Sequence, residues 1–287
     1  MRARKGIYIL MASLCILLLL LALLQRQGQK QTEGFSTYTI PRIIWSYWHD
    51  PHIPAKVKQI LDERRDVLSN WEHRVLNEKT VYDYIPPDEF PKGYTALTHQ
   101  AKSDWIRLYL LKTYAGCWMD SSIIVNSGEE LERLYTESVE SKTEFTGFYL
   151  SSHTLQSVKE TYIESWFILA PLSSRLISLW YEEFTEAVTG GFLPYKKKVF
   201  LAIDVSNIYA KDNDDVYLTI HSSLQYVLRH RLPAIPSILI VDASDTMFKP
   251  HVDCNWNSDC VIAYVKETPK EKQPPYIKLR GNERQSL

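Results

Sequence analysis

The sequence predicts an α/β domain with a mixed, mostly parallel sheet, set behind one N-terminal transmembrane helix. Three observations predict it. Between residues 42 and 126, short β-branched and aromatic runs alternate with amphipathic helical runs, the pattern of strands joined by crossover helices. Candidate polar and aromatic residues sit at the carboxyl ends of those strand runs, where open parallel sheets bind ligands. Residues 7–24 read IYILMASLCILLLLLALL, eighteen residues without a charge.

The apolar run comes first. As a helix it reaches roughly 27 Å at about 1.5 Å per residue, close to a thin bilayer core. It exceeds the ~7–15-residue apolar region of a cleaved signal peptide, and the following QRQGQKQTEG offers no small-x-small cleavage site. Arg2, Arg4 and Lys5 crowd its N-terminal side, against Arg26 and Lys30 beyond it, so the positive-inside rule keeps the N-terminus cytoplasmic. The expected plan is a tail at 1–6, a signal anchor at 7–24 and a polar stem at 25–37. A folded body at 38–287 then lies in a lumen or outside the cell, as a single-pass type II membrane protein, Golgi- or ER-like in a eukaryote. Cys254 and Cys260 bracket NWNSD. They either close a small disulfide loop, which an oxidising lumen permits, or remain two free thiols. Cys117 reads as a buried apolar side chain.

The body opens with RIIWSYW (42–48), a buried strand ending at Trp48. PAKVKQILDERR follows as a helix with Pro54 at its start. EHRVLN (72–77) is a second strand ending at Asn77, and EKTVYDYI a short helix stopped by PPDEFP. TALTHQAKSDWIRLYLLKTYAG (95–116) is an amphipathic helix with Gly116 as its stop. CWM and SIIV are strand pieces on either side of Asp120. In the second half EFTGFYLS, YIESWFILA and SILIVDAS read as strands, LSSRLISLWYEEFTEAV and VYLTIHSSLQYVLRH as helices. This half completes the same core and supplies an acceptor wall.

Composition narrows the function classes. The 287 residues carry a formal net charge of -1, with 45% hydrophobic and 23% charged residues, as in an ordinary globular domain able to bury its core without staples. There is no basic surplus or stripe for a nucleic-acid partner. The KKK tract at 196–198 reads as a solvated turn between helices. No Cys/His cluster suggests zinc. The 8 Trp, 18 Tyr and 9 Phe suit sugar or base stacking, and suit a core equally.

Four features carry candidate chemistry. Asp104 and Arg107 are spaced i, i+3 on the SDWIR helix: alone a surface ion pair, but one that runs directly into the strand before Asp120. Asp104 can accept from sugar hydroxyls, and Arg107 is a planar, permanently charged donor suited to a departing phosphate. Asp120 can reach a metal or a ribose, or merely close its own turn. Trp48 and Trp118 can stack on a flat ligand or plug the core.

Together IPRIIWSYW, the LN at 76–77, SDWIR and AGCWMD resemble, in order and spacing, the glycosyltransferases with an Asp-X-Asp sugar-binding region. The likeness is greatest to the capsular-polysaccharide-synthesis type, related to the yeast initiating mannosyltransferases and the clostridial glucosylating toxins. It is specific over residues 40–126 and general to about 240. It implies a single nucleotide-diphospho-sugar transferase domain of the GT-A type. It implies transfer of a hexose from a UDP- or GDP-sugar to a glycan or other acceptor, with retention. Trp48, with Tyr47 beside it, would stack on the base. Asn77 would lie near the nucleoside, Ser103 and Asp104 on the nucleotide sugar, and Arg107 on the diphosphate or transferred sugar. Trp118 would line the pocket, and Asp120 would bind ribose, sugar or the metal shell. The pattern's second Asp, the direct ligand of Mn²⁺ or Mg²⁺, is replaced here by Ser122, a poorer ligand for a hard cation. His221 is a further candidate metal ligand, or a packed side chain.

Stabilising the diphosphate leaving group is an electrostatic task, and positioning supplies much of the rest. No carboxylate presents itself in the sequence as a nucleophile. The alternative is a non-catalytic glycan- or nucleotide-binding relative that has lost the metal site.

Overall fold

Strand β1 (Ile43–Tyr47) begins where the apolar run IIWSY does, with four of its five residues buried. The computed structural model describes residues 38–154, 160–209 and 212–287. The expected tail, membrane span and stem at 1–37 lie outside the described residues. Among the described residues no helix is long and apolar enough to cross a membrane.

Helix α1 (Ala55–Val67) follows Pro54 and returns the chain to β2 (Glu72–Leu76), which pairs parallel to β1. Helix α2 (His99–Tyr114) is N-capped by Thr98, whose hydroxyl accepts from Ala101 N. It ends at Ala115, φ 59°, and Gly116, φ 99°. A Cβ at 116 would stand 2.7 Å from Ile43 O, so only glycine lets β3 (Gly116–Met119) approach β1. The stop expected at Gly116 thus doubles as the first residue of the strand.

After β3 come β4 (Ile123–Val125), helix α3 (Glu129–Ser141), β5 (Phe145–Tyr149) and β6 (Ile163–Ala170). Helix α4 (Arg175–Gly190) is capped by Ser174, and α5 (Phe192–Ala202) and α6 (Thr219–Tyr226) lead to β7 (Ile238–Asp242). The main sheet has six strands in the order β2-β1-β3-β6-β5-β7. Its β1–β2, β1–β3 and β5–β7 pairs are parallel, and β6 is antiparallel to both β3 and β5. Five strands therefore point one way and β6 opposes them. The mixed, mostly parallel sheet agrees with the sequence reading.

Both faces of this sheet are covered. Along β3, Trp118 enters one apolar cluster with Trp45, Trp105 and Trp180, whereas Cys117 and Met119 enter another with Ile44, Phe148 and Phe167. That is the period-two alternation of a strand buried on both sides. Trp45, Trp105, Trp118 and Trp180 are each fully buried; at about 25 cal/mol per Å² and roughly 200 Å² apiece, each contributes up to about 5 kcal/mol.

One part departs from expectation. The KKK tract is not a solvated turn: it lies within α5, and Lys196 is buried, donating from Nζ to Asn213 O, Asn213 Oδ1 and Asp215 O. Three backbone and amide acceptors replace water for that ammonium, which composition alone does not reveal. Beyond β7 the chain adds helices α7 (Lys249–Asp253) and α8 (Ser258–Glu267), strand β8 (Tyr276–Lys278) and a last turn of helix, α9 (Glu283–Ser286). Cys254 and Cys260 are bridged; closing so short a loop is worth about 2 kcal/mol in chain entropy. Strand β8 pairs antiparallel with β4, Lys278 opposite Ile123, and Leu279 N donates to Ser122 O at 3.0 Å.

Candidate functional site

The parallel strands bring their carboxyl ends, Tyr47, Leu76 and Met119, to one edge of the sheet. Because β6 runs oppositely, its start joins the same edge: Asp120 N donates to Trp166 O at 2.9 Å. Trp48, Asn77 and Asp120 are the next residues at those ends, as their positions in the sequence suggested.

Asp120 is held on every side. Its Oδ1 accepts from Trp118 Nε1 at 2.9 Å and from Arg107 Nη2 at 3.0 Å. Its Oδ2 lies 3.0 Å from Lys278 Nζ. Its carbonyl accepts from Arg64 Nη1 at 3.0 Å, while Arg64 Nη2 donates to Ser46 Oγ at 2.7 Å. Arg64 comes from α1 and is 1% exposed. Burial raises the Asp120 pKa, but Lys278, Arg107 and the Trp118 hydrogen bond outweigh it and leave the carboxyl at about 2. It is ionised at any working pH.

Arg107 is likewise locked. Its Nη1 donates to Asp104 Oδ1 at 2.8 Å, and its guanidinium lies 4.9 Å from the Trp118 ring centroid. The Asp104–Arg107 pair is therefore not the surface ion pair that i, i+3 spacing ordinarily makes. Burial pushes Asp104 up to about 6, Arg107 opposing and Asp120 reinforcing the rise.

A cavity of ≈ 470 Å³ opens at this edge, within the usual range of small-molecule sites. Of the residues singled out from sequence, Tyr47, Trp48, Ser103, Asp104, Arg107, Asp120 and Ser122 line it, as does His221. The Tyr47 hydroxyl is buried without a hydrogen-bond partner. Two expected residues are elsewhere. Asn77 is absent from the lining; its Oδ1 accepts from Lys79 N and Thr80 N, an Asx turn that ends β2. Trp118 also lies behind the wall, fully buried, touching the site only through Nε1. His221 is packed: its Nδ1 donates to Ile163 O at 2.9 Å, its ring stacks on Tyr162 at 4.7 Å, and burial lowers its pKa to about 4.

Four charged lining residues escaped the sequence reading. Lys278, Arg280 and Arg284 arrive from the C-terminal segment KLRGNER, and Glu164 from the start of β6. Arg284 lies over the Trp48 ring, 5.1 Å from its centroid. Glu164 is a buried carboxyl inside the cavity, where no such group was anticipated. Burial pushes it up to about 7, with Lys278 and Arg107 opposing and Asp120 adding to the rise. A cluster of three basic residues in seven was the available signal, but nothing local ties 278–284 to a motif over 150 residues earlier.

The residues expected to hold Mn²⁺ or Mg²⁺ make a poor fit to such an ion. The buried Ser122 hydroxyl accepts from Lys278 Nζ at 2.7 Å. The same ammonium contacts Asp120 Oδ2, so it bridges the two positions a metal would share. Among the described residues no group of three His, Cys, Asp or Glu is placed to hold a metal ion. Hard divalent cations need several oxygen ligands, with carboxylates foremost, and here one carboxylate is already shared by two cations.

The family model of the capsular polysaccharide synthesis protein matches residues 21–188, well over half of the 287 residues. The chain belongs to that family. It is 26% identical over 180 residues to the O-glycosyltransferase PaGT of Phomopsis amygdali, a match covering 55% of this chain and 43% of that protein. The chain thus spans less than half of that relative's length. A solved glycosyltransferase involved in the glycosylation of the major capsid of PBCV-1 aligns with 85% of this family member and 98% of its own chain, at 12% identity and a TM-score of 0.43.

Proposed function

We propose that this protein is a glycosyltransferase that moves a sugar, a hexose by the resemblance, from a UDP- or GDP-sugar to a glycan or other hydroxyl acceptor. In this reading residues 7–24 hold it at a membrane, with the catalytic body on the lumenal or outer side. The observation that carries the reading is the cavity at the strand ends. It combines a fixed carboxylate, Asp120, with an arc of cations and an aromatic edge. Those are the three kinds of contact a nucleotide sugar requires: hydroxyl acceptors, diphosphate donors and a stacking surface. The family membership and the similarity to an O-glycosyltransferase support the same class.

In this reading each residue takes a role. Trp48, half-buried beside His49, offers a ring to the base. Asp120 and Asp104 accept from ribose or sugar hydroxyls. Lys278, with Arg284 on the same wall, faces the diphosphate, while Arg280 is held by Glu283, Ser258 and the Trp256 carbonyl. Arg107 has both terminal nitrogens committed to carboxylates and acts chiefly by orienting Asp104 and Asp120. In the reaction the bond between the anomeric carbon and the donor phosphate oxygen breaks as the bond to the acceptor oxygen forms. The acceptor proton passes to the leaving diphosphate, and transfer proceeds with retention. Glu164, whose carboxyl pKa burial raises to about 7, can accept from or donate to a sugar or acceptor hydroxyl.

Incubation with a panel of UDP- and GDP-sugars tests this. Slow hydrolysis of one donor, abolished in Asp120→Ala, is the expected result. Saturable donor binding without turnover would instead identify a non-catalytic binding relative.

A further inference from the structure

Resting on the nucleotide-sugar reading, we infer that Lys278 is the built-in cation of this site: its ammonium, seated between Asp120 and Ser122, takes the place of a divalent metal and receives the donor diphosphate. Donor binding then needs no metal ion.

Three independent features support it. The first is occupancy. Lys278 Nζ lies 3.0 Å from Asp120 Oδ2 and 2.7 Å from Ser122 Oγ, the two positions at which the sequence pattern places metal ligands. A divalent ion between the same oxygens would face a positive charge at contact distance. The second is how the lysine is held. Lys278 stands in β8 opposite Ile123, and the next residue, Leu279, donates its N–H to Ser122 O at 3.0 Å. Backbone pairing thus sets the register of the ammonium against Ser122. A surface lysine on a loop would have no such constraint. The third is the residual donor capacity. An ammonium has three N–H bonds; two go to Asp120 and Ser122, and the other contact is a long 3.4 Å approach to Leu279 O. That weak contact can be exchanged for a phosphate oxygen without disturbing the first two.

The replacement of the expected second carboxylate by Ser122 acquires a reason in this arrangement. An Asp at 122 would give the site a second anion, suited to a doubly charged ion. A hydroxyl accepts one hydrogen bond from a singly charged ammonium without adding charge, and leaves the lysine attractive to a phosphate.

The test is calorimetric titration of the purified protein with UDP, GDP and inorganic pyrophosphate, first in EDTA and then with excess Mn²⁺ or Mg²⁺. The expected result is binding of UDP or GDP whose affinity changes by no more than about twofold on adding metal. Lys278→Ala should weaken that binding about tenfold or more in EDTA, the usual loss for a charge-assisted hydrogen bond. It should also acquire a dependence on Mn²⁺, since Asp120 and Ser122 are then released. Lys278→Arg keeps the charge and should bind more tightly than Lys278→Ala, with circular dichroism confirming that both variants fold. Wild-type binding that strengthens more than tenfold with Mn²⁺, or unchanged affinity in folded Lys278→Ala, overturns the role of Lys278 and leaves the nucleotide-sugar reading standing. No binding of any of the three probes, with or without metal, overturns both.

Discussion

Glu164→Gln should make the protein more stable relative to wild type at alkaline than at acidic pH. Glu164 is 7% exposed at the start of a strand whose eight residues are all buried. It has little water to solvate a charge. Burial raises its pKa to about 7, against 4.5 for a glutamate in water; Lys278 and Arg107 pull the value down and Asp120 pushes it further up. The sign follows from linkage. A carboxyl with a folded value above its unfolded value costs nothing below about pH 4.5. The cost grows as pH rises through the interval from about 4.5 to 7, and is complete above it. At about 1.4 kcal/mol per pH unit, the full cost is roughly 3 kcal/mol, and at pH 5 less than about 1 kcal/mol. Glutamine carries none of this dependence. The measurement is urea denaturation followed by tryptophan fluorescence for both proteins at pH 5 and pH 8.5. The difference in unfolding free energy, variant minus wild type, should rise by about 2 to 3 kcal/mol between the two conditions. His221, held down to about 4 by burial, titrates in both proteins and cancels in the comparison, and burial keeps Tyr162, whose hydroxyl also feels Glu164, neutral at both pH values. If the two proteins keep a constant difference across that range, Glu164 is not a buried high-pKa carboxyl and the reasoning fails.

Two further predictions concern the supports of the site. Arg64→Ala should destabilise the fold by about 3 kcal/mol in the same denaturation assay, because it opens a cavity and strips the Asp120 carbonyl and Ser46 hydroxyl of their buried charged donor; a loss under about 1 kcal/mol would show that the guanidinium is not holding the Asp120 turn. Asn77→Ala should lower stability by about 1 kcal/mol through loss of its turn hydrogen bonds while leaving the donor KM unchanged, whereas Trp48→Ala should raise the KM; a raised KM in Asn77→Ala would place that residue in the binding site after all.

Much of the site was legible because it is local. Asp104, Arg107 and Asp120 occur on a helix and the strand that directly follows it, Trp48 closes the first strand, and strand and helix periodicity says where each element ends. Asn77 lies at a strand end as expected, but its Oδ1 accepts from the N–H groups two and three residues on, Lys79 and Thr80, and the residue is absent from the cavity lining. Trp118 taken alone reads more readily as a core residue, and only the resemblance places it in the pocket. Period-two alternation on β3 decides it, because position 118 points into the helical layer and only its Nε1 reaches Asp120.

By itself the sequence determined the alternating α/β body, the shared edge of the first three strands and the identity of the fixed carboxylate. These follow from short-range pattern and chain direction. Only the tertiary structure decided the electrostatics. The opposed strand β6 carries Glu164 to the edge, α1 inserts Arg64 beneath Asp120, and β8 pairs with β4 to set Lys278 against Asp120 and Ser122, 158 and 156 residues away in the chain. Such charge placements depend on burial, which raises a group's charge cost by several kcal/mol, and on long-range pairing, which offsets it; neither quantity has a local signature.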